Sequence, residues 1–224
     1  GLSRPFAEYL LGVLMVLQRS AGGNNAFFLG ELSSHGWWYY FPLGYLMKEP
    51  APTLILVFLG TIISLWNIIR SFKLKLKDVY EKLLEYLTIR FTEFSILIFI
   101  IIYWAASISS PLNIGIRHIL PTLPLIYILS ASSLKKWLAI QPLPITTNLL
   151  EQIHNFLHNI FNFWVKTFIL SMLIIWLFIE TFLTAPYFLS YFNEFYGGRT
   201  NGFYYMTDSN FDWGQDLKRL EKFV

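Results

Sequence analysis

"SPLNIGIRHILPTLPLIYIL" (residues 110–129) is the stretch on which the fold turns. Most of it is hydrocarbon, yet Arg117 and His118 stand side by side near its start, and Pro121 and Pro124 follow within two turns. Pro121 has no N–H to offer the carbonyl of Arg117, and Pro124 has none for that of Leu120. The sequence therefore predicts two freed acceptors in the turn below a basic pair. Such a break is tolerated at membrane depth only against protein or a watery cavity.

Working outward, the whole chain has the composition of a membrane protein. Of its 224 residues 55% are hydrophobic and 14% charged, and the mean hydropathy is +0.49, which argues against an ordinary soluble domain. Cysteine is absent, so no disulfide framework, thiolate metal site or thiol nucleophile is available. The net charge of +3 is small, and the Lys and Arg residues cluster beside apolar runs. Lipid headgroups are the partner this favours, and no nucleic-acid partner is expected.

Four spans are expected within a membrane region covering 53–185, at 53–69, 94–110, 112–134 and 167–185. Residues 1–52 then form an extracytoplasmic loop with an interfacial helix around Phe6–Leu17 and an aromatic segment. Residues 186–224 begin an extracytoplasmic soluble domain. Sidedness follows from the basic residues. Nine of them (Arg70, Lys73, Lys75, Lys77, Lys82, Arg90, Lys135, Lys136 and Lys166) fall in the segments 70–93 and 135–166, against Lys48, Arg117 and Arg199 on the other side. This places the two basic segments in the cytoplasm. Each carries apolar residues at helical spacing, Leu76, Tyr80, Leu83, Leu84, Leu87 and Phe91 in one and Ile153, Phe156, Leu157, Ile160, Phe161 and Trp164 in the other. Both are expected to lie in the inner interface as amphipathic helices.

With that topology Arg117 and His118 sit at the outer mouth of the third span. Arg offers a planar fork of donors to phosphate oxygens and His118 can add a donor, so the pair reads as a phosphate clamp, with Lys48 able to assist. The structural alternative is snorkelling toward headgroups, or an ion pair with Glu180, which stands in the outer third of the fourth span. Residues 30–50, "GELSSHGWWYYFPLGYLMKEP", are the densest aromatic stretch. An aromatic belt explains them simply. A sugar or acceptor site would instead stack rings on Trp37 and Trp38 and bond hydroxyls with Glu31 and His35.

Metal and nucleotide chemistry find no support in the residue patterns. Asp208, Asn210 and Asp212 match the first half of a calcium loop, but Trp213 stands where the turn glycine belongs and Arg219 where the distal acid belongs. The same segment reads better as a helix start with Asp212 as N-cap and Gln215 in the capping-box position. Glu151, His154 and His158 share one face of a helix, where a solvated polar face is the expectation. No phosphate loop, nucleophile elbow, HExxH or dinucleotide fingerprint is present, and no metal or cofactor is expected.

Three stretches, "FLGELSSHGWWYYFPLGYLMKEP", "NIGIRHILPTLPLIYIL" and "YFNEFYGGRTNGFYYMTDSNFDWGQDLKRL", together resemble one family. It is the glycosyltransferases of the dolichyl-phosphate-mannose protein mannosyltransferase type, family 39, which includes the aminoarabinose transferases of lipid A. The resemblance implies an all-α membrane protein of the GT-C fold, with about four spans plus interfacial helices in the part seen here. It also implies a polyprenyl-phosphate-linked sugar as donor, and transfer with inversion to a protein, glycan or lipid acceptor on the outer face of the cytoplasmic membrane. In that family the catalytic acid lies in a first outer loop ahead of several spans that have no counterpart here, so the chain looks like a C-terminal portion whose catalytic residue is expected upstream. The start at Gly1 and the end at Val224 within a helical pattern fit a fragment. The rival readings are a transporter or lipid flippase with Arg117, His118 and Glu180 along a broken helix, or a noncatalytic membrane subunit.

Overall fold

Apolar periodicity resolves into helix over most of the chain. The computed structural model describes residues 3–71, 80, 81, 84, 87–140 and 148–224. The chain is mostly helical, at 73%, and among the described residues three helices are long and apolar enough to cross a membrane. The elements are α1 (Ser3–Gly22), a hairpin of β1 (Ala26–Phe28) and β2 (Glu31–Ser33), α2 (Tyr40–Lys48), α3 (Ala51–Ser71) and α4 (Phe91–Ser109). A 3-10 segment (Ile116–Thr122), α5 (Leu123–Leu138), α6 (Leu149–Thr184), three single 3-10 turns and α7 (Leu217–Phe223) complete the order. The expected amphipathic helix at 76–91 and the lysines at 73, 75, 77 and 82 lie largely outside the described residues.

The local chemistry explains the boundaries. Pro52 falls in the first turn of α3, where its missing N–H would have no intrahelical acceptor anyway, so the helix starts at Ala51. Asn148 caps α6 by accepting from Leu150 N at 3.0 Å. From there α6 runs 36 residues, about 54 Å, so the amphipathic run 153–164 and the span 167–185 are one helix, not two elements. It stops at Thr184, just ahead of Pro186, because a residue preceding proline is disfavoured in the α region.

The third expected span differs most. Residues 112–134 do not form one helix. Residues 110–115 are irregular, 116–122 are 3-10, and α5 has only 16 residues, about 24 Å. The prolines tighten the chain here and do not leave the acceptor of Leu120 free, since Leu123 N–H bonds the Leu120 carbonyl. Thr122 adds a hydroxyl donor to the carbonyl of Ile119 at 2.7 Å, and Trp104 Nε1 donates to the Thr122 hydroxyl at 2.9 Å.

Two compact units are interleaved along the chain, one from 1–49, 98–123 and 184–224, the other from 50–97 and 124–183. The first has a true core of Phe28, Tyr40, Phe41, Met47, Ile119, Phe192 and Met206, with further aromatic rings packed against it. Burying such a side chain stabilises a fold by about 1.5–3 kcal/mol. The tail after residue 186 supplies Phe192 and Met206, so it folds into this unit. The hairpin was not expected. Its two-residue loop needs positive φ at both Leu29 (53°) and Gly30 (90°), and Leu carries no signal for that turn. A bridge from Phe28 to Met206 and a bond from Leu29 N to Tyr205 O at 2.9 Å anchor it.

In the second unit helices meet through small and polar side chains. A Cβ on Gly60 would stand 2.9 Å from the Ser130 Cα, so only glycine lets α3 approach α5 this closely. Ser64 and Ser133 share a 2.6 Å bond, Glu93 takes Lys136 at 3.0 Å and Ser132 at 3.2 Å, and Lys166 donates to Trp137 O at 2.9 Å. Phe58, Trp66, Phe168 and Phe178 are 66%, 67%, 63% and 63% exposed, the surface of helices whose solvent is lipid.

Candidate functional site

Lys48 and Arg117, 69 residues apart in sequence, line one cavity of about 260 Å³ in the first unit. Lys48 comes from the last turn of α2, Arg117 from the second position of the 3-10 segment. Apolar side chains of Leu120, Leu123 and Phe188 share the wall with them, and Trp213 from the tail joins the lining. Glu49, buried, and Tyr45 stand at the α2 end.

Lys48 is held from several directions. Its Nζ donates to the carbonyls of Leu189 and Asn210, both at 2.7 Å, and lies 4.4 Å from the centroid of the Phe192 ring. Burial lowers its pKa from 10.5 to about 7, because the ammonium loses hydration. Burial pushes the Tyr40 hydroxyl up to about 12, against the opposing effect of its bond with Asn210, and it raises Tyr45 as well, with Glu49 adding to the effect.

Arg117 is exposed, and its guanidinium carbon is 5.0 Å from the Trp213 ring centroid. Asn210 joins the parts. Its Oδ1 accepts from Ile116 N at 2.9 Å, its Nδ2 donates to the Tyr40 hydroxyl at 2.9 Å and to Thr207 O at 3.2 Å, and its carbonyl receives Lys48. The Ser209 hydroxyl donates to the Ile114 carbonyl, and any side chain at Gly115 would collide with that hydroxyl. The cavity therefore sets the Arg117 guanidinium and the Lys48 amine beside hydrocarbon, with the buried Glu49 in the same lining, and so offers donors to an anionic head next to an apolar wall.

Other expected site residues go elsewhere. His118 is half-buried, turned edge-on to Phe41 at 6.2 Å, and does not line the cavity. Neighbours in a 3-10 helix diverge by about 120°, and of the pair only Arg117 lines the cavity. Glu31 and His35 are exposed on and after β2, His35 Nδ1 pairing with the Ser34 hydroxyl at 3.1 Å. Trp37 packs on Phe28 at 5.7 Å and its backbone N–H donates to Asn113 Oδ1 at 2.6 Å. Trp38 is 70% exposed and meets Tyr39 edge-on. None of these four lines the Lys48–Arg117 cavity. Glu180 is buried on α6 and belongs to the second unit.

Asn210 and Trp213, which the sequence sets only against a calcium loop and a helix start, line this cavity. Both lie in "DSNFDWGQDL", where the sequence predicts a helix start at Asp212. The helix begins later, with Asp216 at its N-cap, while Asp212 Oδ1 accepts from Gly214 N at 2.8 Å and Gln215 Oε1 from Trp213 N at 2.7 Å. The only signal was the density of side chains able to bond a backbone in a non-helical turn. No protein-family model, curated protein or solved structure matches the chain.

Proposed function

We propose that the chain is the donor-binding part of a membrane glycosyltransferase that takes a sugar from a polyprenyl-phosphate carrier at the extracytoplasmic face of the cytoplasmic membrane. The observation that carries the reading is the shared cavity of Arg117 and Lys48, with Leu120, Leu123 and Phe188 beside them. A phosphate esterified to a hydrocarbon chain has both halves of that chemistry. The resemblance of the three sequence phrases to family 39 supports the sugar.

In an inverting transfer an acceptor hydroxyl attacks the anomeric carbon, the new C–O bond forms, and the bond to the phosphate oxygen breaks. Negative charge grows on the leaving phosphate. Arg117 and Lys48 stabilise that charge, in a site where hydrocarbon walls keep the local dielectric low. The group that takes the acceptor's proton is not assigned among the described residues. The carrier lipid, and an acceptor on a protein, glycan or lipid, are the proposed partners.

The test is binding of undecaprenyl monophosphate to the full chain in phosphatidylcholine nanodiscs. Arg117→Ala should weaken it about 10- to 100-fold, the loss of a charge-assisted bond of about 1.5–3 kcal/mol, while the dephosphorylated polyprenol binds weakly to both proteins. Equal binding of alcohol and phosphate, or wild-type binding by the variant, would sink the reading. Movement of the lipid between leaflets of vesicles holding the chain would favour a flippase instead.

A further inference from the structure

Arg117 gains its direction from a segment 92 residues and more along the chain. A long, exposed side chain of this kind carries about 2 kcal/mol of rotamer entropy, so an undirected guanidinium is a poor anion site. We propose that residues Ser209–Gln215 are the positioning element for Arg117, with Trp213 fixing the guanidinium in the cavity. The inference rests on the reading that Arg117 meets the donor phosphate, and it gives the "DSNFDWGQ" phrase a role in that site.

Three contacts carry the argument, and they act on successive parts of the same residue's surroundings. Ser209 holds the Ile114 carbonyl and Asn210 holds the Ile116 N–H, so the two residues fix the backbone just ahead of Arg117. Gly115 between them admits the Ser209 hydroxyl. Trp213 then meets the side chain at its far end, 5.0 Å from ring centroid to guanidinium carbon. The backbone that carries the indole is fixed in its own turn, through Gly214 N to Asp212 Oδ1 at 2.8 Å and Trp213 N to Gln215 Oε1 at 2.7 Å. An aromatic ring attracts the guanidinium without taking up its N–H donors as a carboxylate would.

A carboxylate partner would have competed with phosphate for the same donors. An aromatic partner orients without competing, and that difference is what makes Trp213 a positioning residue.

A double-mutant cycle tests this with the same probe, undecaprenyl monophosphate in phosphatidylcholine nanodiscs, on the full chain. Trp213→Leu should weaken binding about fivefold in the wild-type background and not at all in the Arg117→Ala background, and Trp213→Phe should restore most of the affinity. A purely structural role for Trp213 would lower affinity equally in both backgrounds, which overturns the inference. So does wild-type binding by Trp213→Leu when Arg117→Ala binds weakly. Wild-type binding by Arg117→Ala overturns the phosphate reading, and the inference falls with it.

Discussion

The two units spend their polar groups differently. In the second unit short hydroxyls and one glycine let helices approach, as Ser64 with Ser133 and Gly60 against Ser130, and large apolar side chains remain outside. In the first, buried amides and an amine reach across long sequence separations to backbone carbonyls that no regular element satisfies. Asn193, fully buried, donates to Leu46 O at 2.6 Å and Glu49 O at 3.0 Å and accepts from Phe195 N at 3.2 Å. In hydrocarbon the helix already satisfies its own backbone, so contacts only need to be close. Where the chain is irregular, each carbonyl needs a partner, and those partners are what shape a cavity.

The strongest way to break this contrast is Asn193→Leu, which leaves three backbone groups without their partner. It should cost about 3–5 kcal/mol, read from SDS-driven unfolding in mixed micelles. A shift no larger than that of a single hydroxyl deletion in the second unit would show that the two units are held alike.

Next in size is the pH dependence of Lys48. With its pKa lowered to about 7, the cationic form declines as pH rises past neutrality, and Tyr45, whose pKa is raised, stays neutral through the same window. Above pH ~7.5 the phosphate monoester is almost fully ionised, so affinity for undecaprenyl monophosphate should fall by up to about tenfold per pH unit, and Lys48→Arg should flatten the profile. A profile unchanged by that substitution would remove Lys48 from the anion's surroundings. Stability moves the other way. The unfolded chain holds the Lys48 proton up to about 10.5 and the folded one only to about 7, so the cost of burial is full below 7 and fades as pH rises to 10.5.

The smallest effect belongs to the second unit. Ser64→Ala removes one interhelical hydroxyl bond of 2.6 Å and should cost about 0.6 kcal/mol in the same unfolding assay. A loss several times larger would mean that this helix contact depends on its hydroxyl pair as much as the first unit depends on its buried amides.

Much of the helical framework was legible because its signals are local. Apolar runs at 53–69, 94–110 and 167–185 correspond to α3, α4 and the second half of α6, each shifted by a few residues through the chemistry of its ends. The tail and the hairpin were harder, since one depends on side chains bonding distant backbone and the other on a leucine held at positive φ. Of the proposed anion ligands, Arg117 and Lys48 do share a cavity, whereas His118 turns away.

The sequence by itself determined that this is a helical chain with apolar runs long enough to cross a bilayer and that Pro121 and Pro124 disturb the bonding of their run, which still counted as one span over 112–134 until the structure divided it. Hydropathy, periodicity and proline chemistry act over a few residues and can be read one window at a time. Only the tertiary structure decided that Lys48 would meet the carbonyls 141 and 162 residues away, and that Asn210 would reach Tyr40 across 170. Those pairings follow from which surfaces pack together and which buried carbonyls then lack a donor, and no local pattern encodes that.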